Sequence, residues 1–320
     1  MREEVRRKCD LFSENKVAIH KGFKWEYDIM SVAAGLLYTC EDRKADIEKM
    51  KACAEILKKE KSAFSAFRDI ASLIVVSKMA LSPDPAKYLF DTGWIYEKIK
   101  GKKVFGDAHY ILAATNIIDH GRIDDADVIT DRIVKIIDGY SKAHPVITSV
   151  DDVPAATLLA LGDRSVEVIV NETEEIFRYL RSKFSGHSDA VQALAEVLAL
   201  SDRSTAEKCD RVFAIYDALK AKGAKYGLDV ELASLGALAD LDIDPSVLAD
   251  EIIETEKYLA GLDGLGAWTI SKTNRLMFAA LVVAESYSGD IPEMRNSVLV
   301  GTVALALCVE WTMVAVVATM

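Results

Sequence analysis

AATLLALG at 155–162, then Asp163-Arg164-Ser165, then VEVIVNETEEIFRYLRSK at 166–183: this stretch decides the fold. The first segment is small, apolar and free of charge, which suits a helix enclosed on every side. In the second, Val166, Val170, Glu174, Phe177 and Leu180 recur at three-to-four spacing, the signature of an amphipathic helix with one face against a core. The polar residues between them offer a cap for the second helix. The unit is therefore a helical hairpin, with an inner small-residue helix and an outer amphipathic one.

The same pair recurs along the chain. Inner-type segments are VAAGLLYTC at 32–40, IASLIVVSKM at 70–79, YILAATNII at 110–118, AATLLALG at 155–162, QALAEVLALS at 192–201, LASLGALAD at 232–240 and LMFAALVVAE at 276–285. Aligning Ala33, Ala71, Ile111, Ala156, Ala193, Ala233 and Met277 gives spacings of 37 to 45 residues, a period that belongs to helical repeat architectures. Outer-type segments begin at Ala45, Ala86, Ala126, Val166, Ala206 and Ser246. Asp84-Pro85, Ser165, Ser204 and Asp244-Pro245 stand where outer helices need caps and first-turn prolines. Gly101, Gly139, Gly223 and Gly261 stand where those helices should end. The expected fold is all-α, one domain over 1–320, with about fourteen helices, no sheet, and hairpins of about 40 residues arranged as an α-solenoid or an α/α toroid. Seven layers packed at about 8–10 Å would extend about 60–70 Å if the array stayed open.

Composition agrees. Half the residues are hydrophobic (51%), 28% are charged, and there are only 6 Pro and 17 Gly in 320 residues. With 39 basic and 50 acidic side chains the formal charge is −11, the wrong sign for a general nucleic-acid binder. Cys9, Cys40, Cys53, Cys209 and Cys308 are scattered and never form CxxC, so neither a disulfide framework nor zinc is expected, and a cytoplasmic location follows. Ser297–Met320 carries a single charged residue, Glu310, and is long enough to span a bilayer at about 20 residues per span. A mid-segment acid opposes that use, and a buried apolar closing helix over 297–320 is the expectation.

Candidate chemistry is sparse. Asp107, Asp152, Asp189 and Asp229 each stand four residues before the aligned inner-helix position. Asp at a helix start caps backbone N–H groups and complements the dipole; the functional alternative is an acidic rim for a cation or a basic partner. Asp69, His109, His187, Lys272, Asn274 and Arg275 lie near the same rim. There is no HExxH, Walker loop, nucleotide-binding glycine fingerprint or GxSxG. Asp240-Leu-Asp242-Ile-Asp244-Pro245 with Glu251 copies EF-hand spacing, but Pro245 occupies the place where the loop needs glycine. Trp25, Trp94, Trp268 and Trp311 are expected in the core, and the short basic runs Lys58-Lys59-Glu60-Lys61 and Lys100-Gly101-Lys102-Lys103 read as solvated turns.

The segments TSVDDVPAATLLA at 148–160 and FSGHSDAVQALAEVLALS at 184–201, with weaker matches at Phe67-Arg68 and 111–114, resemble a bacterial family known as domain of unknown function 4003. Family members often carry Asn-Asp where this chain has His187-Ser188-Asp189. The resemblance implies a bacterial or archaeal cytosolic protein of this length and transfers no catalytic residue. The leading expectation is a non-enzymatic scaffold that presents a concave face to a protein or peptide partner, with no cofactor and no metal. The alternative is an enzyme, or a small-molecule or metal binder, with a pocket lined by the inner helices and by Asp152, His187, Asp189 and Asn274.

Overall fold

The computed structural model describes residues 1–24, 26–59, 71–101, 107–287, 301, 303 and 306. Within these the chain is helical, with no strand. The inner elements are α2 (Asp28–Cys40), α4 (Ser72–Leu81), α6 (Ala108–Asp119), α8 (Val153–Leu161), α10 (Ser188–Leu198), a 3-10 helix Val230–Leu238, and α13 (Lys272–Ser286). The outer elements are α3 (Ile47–Lys59), α5 (Pro85–Lys100), α7 (Ala126–Ala143), α9 (Val166–Arg181), α11 (Thr205–Ala221) and α12 (Pro245–Ala260). One further helix, α1 (Glu3–Gly22), precedes them.

Burial separates the two classes as the pattern requires. Every residue of α2 from Met30 to Cys40 and every residue of α13 from Asn274 to Ser286 is buried. The outer helices bury one face; on α9 that face is Ile169, Thr173, Ile176, Phe177 and Leu180. It is rotated from the expected stripe, because Val166, Val170 and Glu174 sit at its edge. Caps follow the sequence closely. Asp84 accepts from Lys87 N–H at 3.0 Å, Ser165 from Val168 N–H at 3.2 Å, and Asp244 from Ser246 N–H at 2.8 Å. Ser204 forms a capping box with Glu207.

Two of the expected helix-closing glycines close helices through positive φ, Gly101 at 57° and Gly223 at 79°. Gly139 instead lies inside α7, where a Cβ would stand 2.6 Å from Val170 of α9, so it is a close-packing residue. Gly261 is right-handed, at φ −91°. The sixth inner element is 3-10 and not α-helical, over nine residues, long for that type. Gly236 sits in its middle and presses on α10, where a Cβ would meet Val197 at 2.5 Å.

The element that sequence patterning left unassigned completes the arrangement. Outer helices pack on one another in chain order, α3 on α5, α5 on α7, α7 on α9, α9 on α11 and α11 on α12; α12 then packs on α1, and α1 on α3. The circuit of outer helices closes, and α1 is its seventh member. Tyr258 of α12 donates to Asp10 of α1 at 2.7 Å, just as Tyr179 of α9 donates to Asp210 of α11 at 2.8 Å. Arg2 Nε meets Glu251 at 2.9 Å, Lys8 Nζ meets Glu285 at 3.3 Å, and Phe12 packs on Phe278 with ring centroids 5.9 Å apart. Closure is thus made by the first helix. The closing helix expected over Ser297–Met320 lies outside the described residues, apart from Gly301, Val303 and Ala306.

Candidate functional site

The two ends of the helices carry different chemistry. At the ends where inner helices stop, arginines bridge neighbouring hairpins: Arg43 donates to the Leu81 carbonyl at 3.2 Å, Arg122 to Leu161 at 3.1 Å, Arg203 to Asp240 at 3.0 Å, and Arg164 to Ala199. A guanidinium on the exposed carbonyls of a helix C-terminus satisfies orphan acceptors and complements the dipole. The recurring Arg in the Gly-Asp-Arg-Ser and Ser-Asp-Arg-Ser junctions is therefore a structural tie between hairpins, a role not extracted from the sequence. At the opposite rim the inner-helix starts touch one another. His109 meets Asp151 at 3.4 Å, Thr148 meets Gln192 at 3.4 Å, and His187 meets Asp229 at 3.6 Å.

This second rim holds the candidate site, and Asp152 is its centre. Asp152 is 7% exposed. It accepts the Ser149 N–H at 2.8 Å in a capping box, so the capping reading holds, but its side chain also bonds to Glu196 and Gln192 of α10. Burial pushes its pKa above the ordinary carboxylate value, against the hydrogen bonds that lower it. Glu196 is 1% exposed and Gln192 3%. The Gln192 amide nitrogen is 3.4 Å from Glu196 Oε1, and its Oε1 has no partner among the described residues. Burial first, and the Glu196 carboxylate second, push the nearby Tyr140 hydroxyl well above its usual range. The chemistry is that of two carboxyl groups sharing a desolvated space, where one holds a proton more readily than it would in water.

The other three expected site residues do not join this pair. His187 is partly exposed and pairs with Asp229 of the next inner element; Asp189 is exposed in the first turn of α10; Asn274 is buried on α13, its backbone N–H capped by Ser271 at 3.2 Å. Among the described residues no hydrogen bond or ion pair links Asp152, His187, Asp189 and Asn274 to one another. His109 is fully buried with Nδ1 2.7 Å from Asp107. Arg275 is buried against Glu256 at 2.9 Å, while Lys272 is exposed and Asp69 lies outside the described residues. No group of three or more His, Cys, Asp or Glu among the described residues is placed to hold a metal. The calcium-like string is consumed by structure: Asp240 accepts from Ser201, Asp242 from Arg203 at 2.7 Å, and Asp244 caps α12.

Two tryptophans reverse their expectation. Trp94 is 43% exposed on the outer face of α5 and Trp268 is fully exposed in the loop between α12 and α13; Trp25 and Trp311 lie outside the described residues. Tyr27 and Val146 are likewise exposed on loops that lead into inner helices. Beside Val146 a cleft of about 320 Å³ opens between the end of α7, the end of α9 and the start of α10, with Phe177, Arg181 and Ser188 in its wall. Ser188, Gln192 and Glu196 stand at i, i+4 and i+8 on α10, so one polar stripe runs from the cleft to the buried acid pair. Sequence reading missed Gln192, Glu196 and Arg181 because a polar residue on a helix is ordinarily solvated.

Among the described residues no helix is long and apolar enough to cross a membrane. Neither a curated protein nor a solved structure matches the chain. A family model does match it, over residues 16–310 of the 320. The chain belongs to the DUF4003 family, proteins of unknown function.

Proposed function

We propose that this protein is a non-enzymatic helical scaffold of the α/α-toroid kind that binds a protein or peptide partner on the rim where the inner helices start. The carrying observation is the exposure of Tyr27, Val146 and above all Trp268 on the loops of that rim. Exposed aromatic side chains on loops suit a contact surface, because Trp and Tyr dominate the energetics of interaction sites. Both rims carry exposed carboxylates, Asp151, Asp189 and Asp229 on this one and Asp42, Asp84, Asp125, Asp163 and Asp244 on the other. The exposed apolar side chains in the first turns of the outer helices, Val128, Val168 and Val247, are aliphatic, so the two aromatic residues Tyr27 and Trp268 distinguish the proposed surface. Because the circuit of outer helices closes, this reading takes the binding surface to be the rim and not an open concave groove.

A cytoplasmic location fits the four described cysteines, which are buried and unpaired; burial pushes the Cys9 and Cys209 thiols up to about 12, so they serve as core residues and not as nucleophiles. The enzyme alternative keeps one observation, the buried Asp152–Glu196 pair. The test of the scaffold reading is affinity capture from native extract with wild-type and Trp268→Ser protein, followed by hydrogen exchange on the reconstituted complex. The reading expects a partner retained by the wild type, lost by the variant, and protecting the inner-helix-start loops. Protection confined to the outer helices, or capture indifferent to Trp268, would overturn it.

A further inference from the structure

We infer that the cleft at the end of α7 and α9 is a binding site for an organic carboxylate that carries an apolar group. Its walls divide into two chemistries. Pro145, Val146, Ile147 and Phe177 supply an apolar side, and Arg181 with Ser188 supply a polar one. The volume, about 320 Å³, lies within the range of small-ligand sites.

Arg181 is the feature that selects the ligand's charge. Its guanidinium donates to the Ser188 hydroxyl at 2.5 Å and lies 5.9 Å from the Phe177 ring centroid. It has no carboxylate partner among the described residues, although the chain carries a formal charge of −11. Glu174, the acid closest in sequence on the same helix face, is occupied by His144 at 2.5 Å and Arg178 at 2.6 Å. Four of the five guanidinium N–H donors thus stay available for an incoming anion, in the fork geometry that matches a carboxylate. The Ser188 hydroxyl bonded to Arg181 adds a further donor on the same side. His144 packs against Phe177 with ring centroids 4.3 Å apart and the rings tilted by 45°, which gives the aromatic floor on which an apolar substituent would rest. Val146, 92% exposed, forms the outer lip, and contact with the ligand would cover it.

The probes are N-acetyl-leucine, its neutral analogue N-acetyl-leucinamide, and the free-acid peptide acetyl-Gly-Gly-Ala-Leu, titrated into full-length protein by calorimetry and ligand-observed NMR. The acid is expected to bind at least tenfold more tightly than the amide, the loss of one charge-assisted bidentate contact. Arg181→Met should remove that preference. Val146→Asp, at an exposed position that leaves the core intact, should weaken the acid by a similar factor through like-charge repulsion. Tighter binding of the peptide than of N-acetyl-leucine identifies a polypeptide C-terminus as the source of the carboxylate, and the reverse order identifies a small metabolite; both support the site. Equal affinity for acid and amide, indifference to both substitutions, or no binding of any probe at about 10 mM, well above the millimolar affinity expected of so small a ligand, would overturn it.

Discussion

Phe12→Ala isolates the role of α1. Phe12 is fully buried on α1 and its ring meets Phe278 of α13 at 5.9 Å and 58°, a tilted pair across the point where the circuit closes. Truncation of a buried Phe costs about 3–5 kcal/mol. With an unfolding entropy of about 2.1 cal/mol/K per residue, a chain of 320 residues has about 0.7 kcal/mol/K, so Tm should fall by about 4–7 °C. Phe90→Ala on the outer face of α5, where Phe90 is 68% exposed, should move Tm by less than about 1 °C. Differential scanning calorimetry of both variants at one protein concentration is the assay. If α1 were a frayed appendage, the two substitutions would be equally mild, and that result would refute the closed circuit.

Three further outcomes are expected. Arg275→Met leaves Glu256 buried and unpaired and should cost about 3–5 kcal/mol, most of it restored in the double variant with Glu256→Gln; urea unfolding measures both. Arg164→Met removes the contacts to Glu172 at 2.6 Å and to the Ala199 carbonyl and should lower the unfolding free energy by about 1.5–3 kcal/mol, a loss limited because Lys208 still holds Glu172. For Asp152 the folded pKa is raised by burial, so its contribution is complete below the unfolded value of about 3.9 and is lost as pH rises through the folded value. Asp152→Asn removes that titration, and wild-type stability relative to the variant should therefore decline from pH 4 to pH 7; a constant difference would contradict the assignment.

Much of the fold is readable along the chain because its signals are local. Asp84-Pro85, Ser165, Ser204 and Asp244-Pro245 cap the helices they precede, and inner segments such as α2 and α13 are mostly apolar because nearly all of their residues are buried. What was not readable depends on partners distant in sequence. α1 has a stripe of Val5, Cys9, Phe12 and Ile19, interrupted by buried Lys8, Asn15 and Lys16. Those polar residues find Glu285, the Arg43 carbonyl and Asp28, contacts that no periodicity announces. Val230–Leu238 is a 3-10 helix whose Gly236 packs closely on Val197 of α10, a neighbour distant in sequence. Asp152 could be named from the repeat, whereas Glu196 and Gln192 became its neighbours only when α10 packed beside α8. Trp268 shows the converse: an aromatic residue predicts burial on average, and its place on a loop tip decides otherwise.

The most direct test of the closed arrangement is a distance between spin labels placed through genetically encoded side chains at the exposed positions Glu14 on α1 and Lys257 on α12. The contact between Tyr258 and Asp10 at 2.7 Å predicts a single narrow distribution on the order of 20 Å, the spacing of adjacent helices plus the two label arms. An open array, with its first and last layers separated, would give a distribution on the order of 60 Å, and that result would contradict the ring.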